Sequence, residues 1–323
     1  MAKHSIFKRR EFLKASACIA GLATFGAFSP KLLAQDLKQT QRDSKKGAKM
    51  QTLTLNNGVT MPLLGLGTYS LTGKAGQKAM SEAIEVGYRL FDSAQMYHNE
   101  AELGAAINNA IKGGLKREEF FIQTKLLGAN SEDSTKKSIE KSLQSLGLDY
   151  IDSLLIHEPY TQSKAMYKAM ESFYKQGILK AIGISNFGAK AYKEFVQTCE
   201  IVPAINQCET HLLMQQKPLR EVMKTKGTLL QSWSPFIAGK NVEGGSILEN
   251  PTLKSIAQKY DKTPAQVVLR FFIEQGISVI PKTSKKHRMI ENLNVFDFSL
   301  SAQDKQILSS LDTNKSSFSW TNY

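Results

Sequence analysis

Residues 120–157 read Phe120-Phe-Ile-Gln-Thr-Lys-Leu-Leu-Gly-Ala-Asn-Ser-Glu-Asp-Ser-Thr-Lys-Lys-Ser-Ile-Glu-Lys-Ser-Leu-Gln-Ser-Leu-Gly-Leu-Asp-Tyr-Ile-Asp-Ser-Leu-Leu-Ile-His157. An apolar run of strand length, 120–126, is followed by Ile139, Leu143 and Leu146 at helical spacing. Gly147 stands where that helix should stop, and a second apolar run, 151–157, begins four residues later. This is a strand–helix–strand unit, and a chain of such units builds a parallel sheet.

Outward from this unit the same alternation continues. Strand-like runs occur at 63–68, 88–94, 179–185, 204–209, 228–234 and 278–282. Leu103/Ile107/Ile111 and Met166/Met170/Phe173 recur at helical spacing between them, with Gly113 and Gly177 at expected helix ends. With 120–126 and 151–157 the runs number eight, the requirement of a closed (β/α)8 TIM barrel. Upstream, Thr52-Leu-Thr-Leu and Val59-Thr-Met flank Asn56-Asn57-Gly58 and predict a β-hairpin, expected to cap the barrel bottom.

The chain has 323 residues, 41% hydrophobic and 22% charged, with a formal net charge of +13. That basic balance suggests an anionic partner until the charges are located. Residues 1–34 carry six Lys/Arg against one Glu, and residues 35–49 carry five against two Asp. The body, 50–323, therefore keeps 31 basic against 26 acidic residues and is only mildly basic. Nucleic-acid binding is disfavoured, because this body offers no basic stripe interleaved with aromatics.

The leader has its own organisation. Lys3, Lys8, Arg9, Arg10 and Lys14 precede an uncharged, largely apolar run, 15–28, too short to span a bilayer as a helix. Lys8-Arg9-Arg10-Glu11-Phe12-Leu13-Lys14 resembles a twin-arginine export signal, with Ala34 a candidate cleavage point. The expected organisation is thus a signal peptide at 1–34, a polar linker at 35–49 and a barrel at 50–323. The location expected is the periplasm, reached through the twin-arginine machinery, with no membrane anchor. Cys199 and Cys208 are expected as free thiols, since their spacing suits no metal.

A barrel presents its chemistry at the carboxyl ends of its strands. There stand Asp92, Lys125, His157, Ser185-Asn186, Gln207, Trp233-Ser234 and Lys282, with Tyr97 in the turn after Asp92. Each has a plain structural alternative: Asp92 as a helix cap, Tyr97 as a rim aromatic, Lys125 as a surface lysine, His157 as a bonded core histidine. In combination they suit protonation of an oxygen. Tyrosine has a pKa of about 10, and a unit charge 4 Å away contributes roughly 4 kcal/mol at an effective dielectric of about 20. Lys125 is therefore expected to lower the pKa of Tyr97. Asp92 would keep the ammonium charged, and neutral His157 would orient a substrate carbonyl.

Asp92, Tyr97, Lys125 and His157 resemble the catalytic tetrad of the aldo-keto reductases. Gly65-Leu-Gly-Thr68, Gly183-Ile-Ser-Asn-Phe187 and Val279-Ile-Pro-Lys282 also match, and the similarity spans nearly all of the body. The resemblance implies an NADPH-dependent reductase of aldehydes or ketones in which Tyr97 protonates the carbonyl oxygen. A barrel of this family serving as a regulatory NADP(H)-binding subunit is the alternative. Retention of His157 argues against the carbon-carbon double-bond reductases of the family, which carry glutamate there.

For the cofactor, the resemblance implies that Ser185, Asn186 and Gln207 bond the nicotinamide carboxamide and that Trp233 stacks on its ring. Ser234 and Phe236 would line the pyrophosphate. Lys282, Thr283 and Arg288 would hold the 2′-phosphate, with Glu291 and Asn292 near the adenine. Gly65-Leu-Gly67-Thr-Tyr-Ser70 lacks the third glycine of a dinucleotide fingerprint, consistent with a cofactor lying extended across a barrel mouth. Substrate contacts fall to His157, Tyr69, Met96 and Glu158, with Tyr160 nearby. Tyr69 and Glu158 stand where many members carry tryptophan. The partners expected are a small carbonyl compound and the export machinery, with the barrel a monomer and no metal involved.

Overall fold

The computed structural model describes residues 50–128, 130–237, 246–318 and Thr321. The leader and linker readings, 1–34 and 35–49, lie outside these residues. A hairpin opens the described chain: β1 (Thr52–Thr54) pairs antiparallel with β2 (Thr60–Pro62). Its turn is fixed by Asn57, whose side chain accepts from Val59 N–H at 3.2 Å and donates to the Lys180 carbonyl at 2.9 Å. Asn56 donates to the Pro203 carbonyl at 3.2 Å. Both carbonyls belong to the amino-terminal ends of later strands, so the hairpin covers the barrel bottom as the sequence predicts.

The barrel alternates strand and helix. In chain order follow β3 (Leu66–Gly67), α1 (Gly73–Val86), β4 (Leu90–Asp92), α2 (Glu100–Lys112), β5 (Phe121–Leu126), α3 (Glu132–Leu146), β6 (Ile151–Ile156) and α4 (Ser163–Lys175). Next come β7 (Leu179–Ser185), α5 (Ala189–Val196), β8 (Ile205–Glu209), α6 (Lys217–Lys224), β9 (Leu229–Trp233), α7 (Pro251–Lys259) and α8 (Pro264–Ile273). The chain finishes with β10 (Ser278–Val279), α9 (Lys286–Leu293) and α10 (Ala302–Ser310). Strands β3 to β10 pair in parallel, each with its successor in sequence.

The ends of this sheet meet. Leu64 bridges Val279, Gly65 N–H donates to the Val279 carbonyl at 2.9 Å, and Gly67 N–H donates to the Pro281 carbonyl at 3.2 Å. The seam is narrow at Gly67, where a Cβ would lie 2.8 Å from the Ile280 carbonyl oxygen. Glycine is what lets the backbones approach there. The run predicted at 278–282 keeps only Ser278–Val279 as ladder, because Pro281 has no N–H to continue it. The run predicted at 63–68 keeps only Leu66–Gly67, the run at 179–185 is reproduced in full, and the other strands fall within their predicted runs, trimmed by no more than two residues at either end.

Helix boundaries follow local chemistry. Ser131 caps α3 by accepting from Ser134 N–H, and Gly147 ends it with φ 61°. Thr263 and Gln266 form a capping box at the start of α8, with Pro264 in its first turn. Gly177 follows α4 with φ 75°, whereas α2 ends at Gly113 with φ −77° and leaves the left-handed turn to Gly114. One apolar layer lies between helices and strands and includes Ile107, Ile139, Met166, Met170 and Phe272. A second cluster, with Leu90, Phe121, Leu155, Ala181, Ile205 and Ile280, packs together with the hairpin residues Leu55 and Met61. Among the described residues no helix is long and apolar enough to cross a membrane, and Cys199 and Cys208 are free thiols.

Candidate active site

Four residues predicted as a tetrad converge at the carboxyl ends of β4, β5 and β6. Lys125 ends inside the barrel with its side chain wholly buried. Its ammonium donates to Asp92 Oδ1 at 2.8 Å and Oδ2 at 2.7 Å, to the Ser93 carbonyl at 2.9 Å, and to the Tyr97 hydroxyl at 3.2 Å. A buried ammonium needs such partners, and here every polar atom around it is an acceptor.

Tyr97 sits on a short 3-10 turn, Gln95–Tyr97, that His98 closes at φ 52°. Two side chains pin that turn. Gln95 donates to Ser142 Oγ at 2.8 Å and accepts from Leu127 N–H at 3.1 Å. Buried Asn99 donates to the Thr68 and Leu71 carbonyls at 2.8 and 2.9 Å and accepts from Ser93 Oγ at 2.7 Å. The loops after β3, β4 and β5 are thereby tied to one another, and Tyr97 is held between them.

His157 follows β6 and faces Tyr97 edge-on, with ring centroids 5.9 Å apart. Burial, aided by the Lys125 charge, lowers its pKa to about 3, so its imidazole is neutral across ordinary pH. Its Nδ1 is buried without a partner among the described residues. Lys125 is held above the usual lysine range, because Asp92 and Tyr97 outweigh the effect of burial. Tyr97 departs from expectation. Lys125 does pull its pKa down, yet burial and the Asp92 charge push harder, and the net direction is upward. The cation is already neutralised by the carboxylate that fixes it. Tyr97 accordingly holds its proton to higher pH than an ordinary tyrosine, with the Lys125 ammonium beside its oxygen.

The predicted cofactor residues occupy neighbouring strand ends. Ser185 Oγ donates to the Gln207 carbonyl at 2.8 Å. Asn186, at φ 65°, donates to Glu158 Oε1 at 2.8 Å and accepts from Trp233 Nε1 at 2.9 Å. Gln207 Nε2 donates at 2.8 Å to both Asp92 Oδ1 and Gln231 Oε1. Ser234, at φ 54°, has a buried Oγ with no partner among the described residues. An orphaned hydroxyl at a left-handed backbone position suits a ligand oxygen arriving from outside the protein. Phe236, two residues further on, is partly buried against the apolar layer.

Around α9, Lys282, Lys285 and Arg288 are exposed, Thr283 is buried, and Lys286 pairs with Glu85 at 2.7 Å. Exposed cations beside a buried threonine suit a phosphate. Glu291 and Asn292 also serve packing. Glu291 accepts from Thr263 Oγ1 at 2.6 Å, and buried Asn292 hydrogen-bonds with Tyr88. At the rim, Tyr69 is 60% and Met96 43% exposed, and the Tyr69 ring meets Tyr97 edge-on at 5.3 Å. Glu158, next to His157, has its pKa pushed up to about 7 by burial, against the opposing pull of Asn186.

Sequence reading missed three features. Gln123 and Gln231 lie in the barrel interior and bond to Asp92 or its partners. They stand two residues before Lys125 and Trp233, on the same strand faces, and period-two counting would have exposed polar groups at core positions. Phe318, from the carboxyl-terminal segment, packs on Trp233 with ring centroids 4.9 Å apart.

The fold and the four converging residues define a parallel barrel with a tyrosine hydroxyl held against a buried lysine–aspartate pair at its mouth. Residues 63–313 match the model of the aldo/keto reductase family, and the chain belongs to that family. It is 39% identical to the glyoxal reductase of Bacillus subtilis over 264 residues, covering 81% of this chain and 92% of that protein. It is 36% identical to the NADPH-dependent D-xylose reductase of Candida boidinii over 297 residues, 80% of this chain and 92% of that one. Among solved structures, a Bombyx mori aldo-keto reductase in complex with NADP shares the fold at a TM-score of 0.77 and 32% identity, with 84% of this chain and 95% of that chain covered.

Proposed function

We propose that the protein is an NADPH-dependent reductase of aldehydes or ketones. The observation that carries this reading is the Lys125 ammonium, bound to both Asp92 oxygens and 3.2 Å from the Tyr97 hydroxyl. Bound NADPH would supply a hydride to the carbonyl carbon. Tyr97 gives its proton to the carbonyl oxygen, the product is an alcohol, and the residual tyrosinate is stabilised by Lys125 until a proton from water replaces the one lost. Neutral His157 bonds the carbonyl oxygen and aims it at Tyr97. Trp233 offers a stacking surface for the nicotinamide, Ser185, Asn186 and Gln207 the polar atoms for its carboxamide, and Ser234 and Phe236 the pyrophosphate wall. Lys282, Thr283 and Arg288 would take the 2′-phosphate, with Glu291 and Asn292 beside the adenine. The NADP-bound Bombyx mori relative and the NADPH-dependent xylose reductase support this cofactor.

The decisive assay follows NADPH absorbance with a panel of small aldehydes, ketones and dicarbonyls. Turnover that Tyr97→Phe abolishes is the expected result. Failure with every carbonyl, or full turnover by that variant, would overturn the reading. Export is part of the same proposal: Lys8-Arg9-Arg10-Glu11-Phe12-Leu13-Lys14 supports delivery of the folded barrel to the periplasm. Cell fractionation with Arg9 and Arg10 changed to lysine should shift the protein to the cytoplasm, and an unchanged distribution rejects export.

A further inference from the structure

Beneath Lys125 the barrel interior holds a closed ring of four hydrogen bonds. Gln123 Nε2 donates to Asp92 Oδ1 at 2.7 Å and to Gln231 Oε1 at 2.6 Å. Gln207 Nε2 donates to the same two oxygens, at 2.8 Å each. All four residues are 2% exposed or less.

Donor counting fixes how these amides face. A carboxylate only accepts, so Gln123 and Gln207 must both turn nitrogen toward Asp92. Each amino group then has one hydrogen left, and both aim at a single oxygen, so Gln231 must turn Oε1 inward. Its own Nε2 reaches Ser278 Oγ at 3.4 Å. The ring leaves Gln207 with only its Oε1 for any other partner.

Stability does not explain this layer. Gln123 spends both hydrogens in the ring while its Oε1 stays buried without a partner among the described residues, an arrangement that opposes folding. Two residues earlier on the same strand faces stand Leu90, Phe121, Ile205 and Leu229, all in the apolar barrel cluster. Hydrocarbon fills that layer, and amides begin at the level that touches Asp92.

We infer that Gln123 and Gln231 are positioning residues for the tetrad: the ring locks the Asp92 carboxylate in the orientation that holds Lys125 against Tyr97. This deepens the proposed function, since it rests on Tyr97 as the proton donor. The ionisable groups facing Asp92 are Lys125 and Tyr97, with His157 beyond Tyr97. Amide donors disperse the Asp92 charge, which otherwise opposes ionisation of Tyr97.

The cleanest variant is Gln123→Met, because Gln231 and Asp92 each keep Gln207 as donor and the orphaned Oε1 disappears. Expected are a kcat for carbonyl reduction lowered about tenfold, an unchanged KM, and an alkaline limb of the pH profile moved upward by about one unit, all with a melting temperature equal to or above that of the parent. Activity and stability moving in opposite directions is what a purely structural role does not give. Gln231→Met should show the same kinetic signature, and the double variant should be no worse than the poorer single one, since one ring is broken in each case. Tyr97 titration by carbon NMR of ring-labelled protein without cofactor gives a readout independent of turnover. It should shift upward in both variants even if no carbonyl proves to be a substrate. Folded variants with the parent pH profile and parent Tyr97 titration would overturn the inference.

Discussion

The Lys125 ammonium stands 3.2 Å from the Tyr97 hydroxyl and 2.7 Å from the Asp92 carboxylate. One cation thus serves two oxygens of different acidity, and removing it strands the stronger anion. Lys125→Met is expected to destabilise the barrel by about 3–5 kcal/mol, because Asp92 then sits buried without its counter-charge. It should also cut carbonyl reduction by about 10²- to 10⁴-fold. Adding Asp92→Asn removes the stranded charge, so chemical denaturation should show stability largely restored while turnover stays lost. Recovery of both together would show that the pair serves only packing.

His157 makes a pH prediction of definite sign. Its pKa lies at about 3 in the folded chain and at about 6.5 when unfolded. Between those values the unfolded state binds the extra proton, so this residue takes stability away as pH falls from about 6.5 toward 3. The slope for one proton is about 1.4 kcal/mol per pH unit. Urea unfolding of His157→Gln from pH 4 to 6.5 should therefore give a stability curve flatter than the parent's. Parallel curves would mean that the imidazole is charged in the folded chain.

Glu158 should sort substrates by charge. Its carboxyl titrates at about 7, while nearby Tyr160 and Cys208 are both raised above their usual values and His157 lies at about 3. Above pH 7 a negative charge therefore appears beside His157. Two like charges about 6 Å apart repel by roughly 1.4 kcal/mol at an effective dielectric of about 40, a tenfold effect. Relative to a neutral aldehyde, kcat/KM for a carboxylate-bearing aldehyde should fall about fivefold as pH rises from 6 to 8, because Glu158 is still partly in its minority form at each end. Glu158→Gln should abolish the dependence, and its persistence in that variant would assign it to another group.

The barrel was legible because each strand is a compact apolar run and the helical stripes between them keep their spacing, as around Ile139, Leu143 and Leu146. The tetrad was legible because Asp92, Lys125 and His157 interrupt or end such runs with polar groups. Burial was not. Charge proximity alone predicted a lowered Tyr97 pKa, whereas desolvation and the anion paired with Lys125 reverse the sign. Gln123 and Gln231 were passed over because each gains meaning from a partner 108 positions away across the barrel, a relation that no local pattern carries.

Glu209 at the end of β8 anchors the carboxyl-terminal segment. Its carboxylate, fully buried, accepts from His211 Nε2 at 2.8 Å, Ser316 Oγ at 2.5 Å and Ser317 N–H at 2.7 Å. These donors overcome burial and hold its pKa below the usual glutamate value. The stability it contributes is thus present above pH of about 4.5 and lost as pH falls through the lower folded value. Glu209→Ala leaves several of those donors without their acceptor, at a cost of about 1–3 kcal/mol, and frees the segment whose Phe318 lies 4.9 Å from Trp233. Carboxypeptidase digestion at pH 7 should release residues beyond Asp312 from the variant well before it does so from the parent, and the parent should acquire the same sensitivity in acid. Equal digestion rates at neutral pH would show that packing of Phe318 alone, without Glu209, holds the segment over the site.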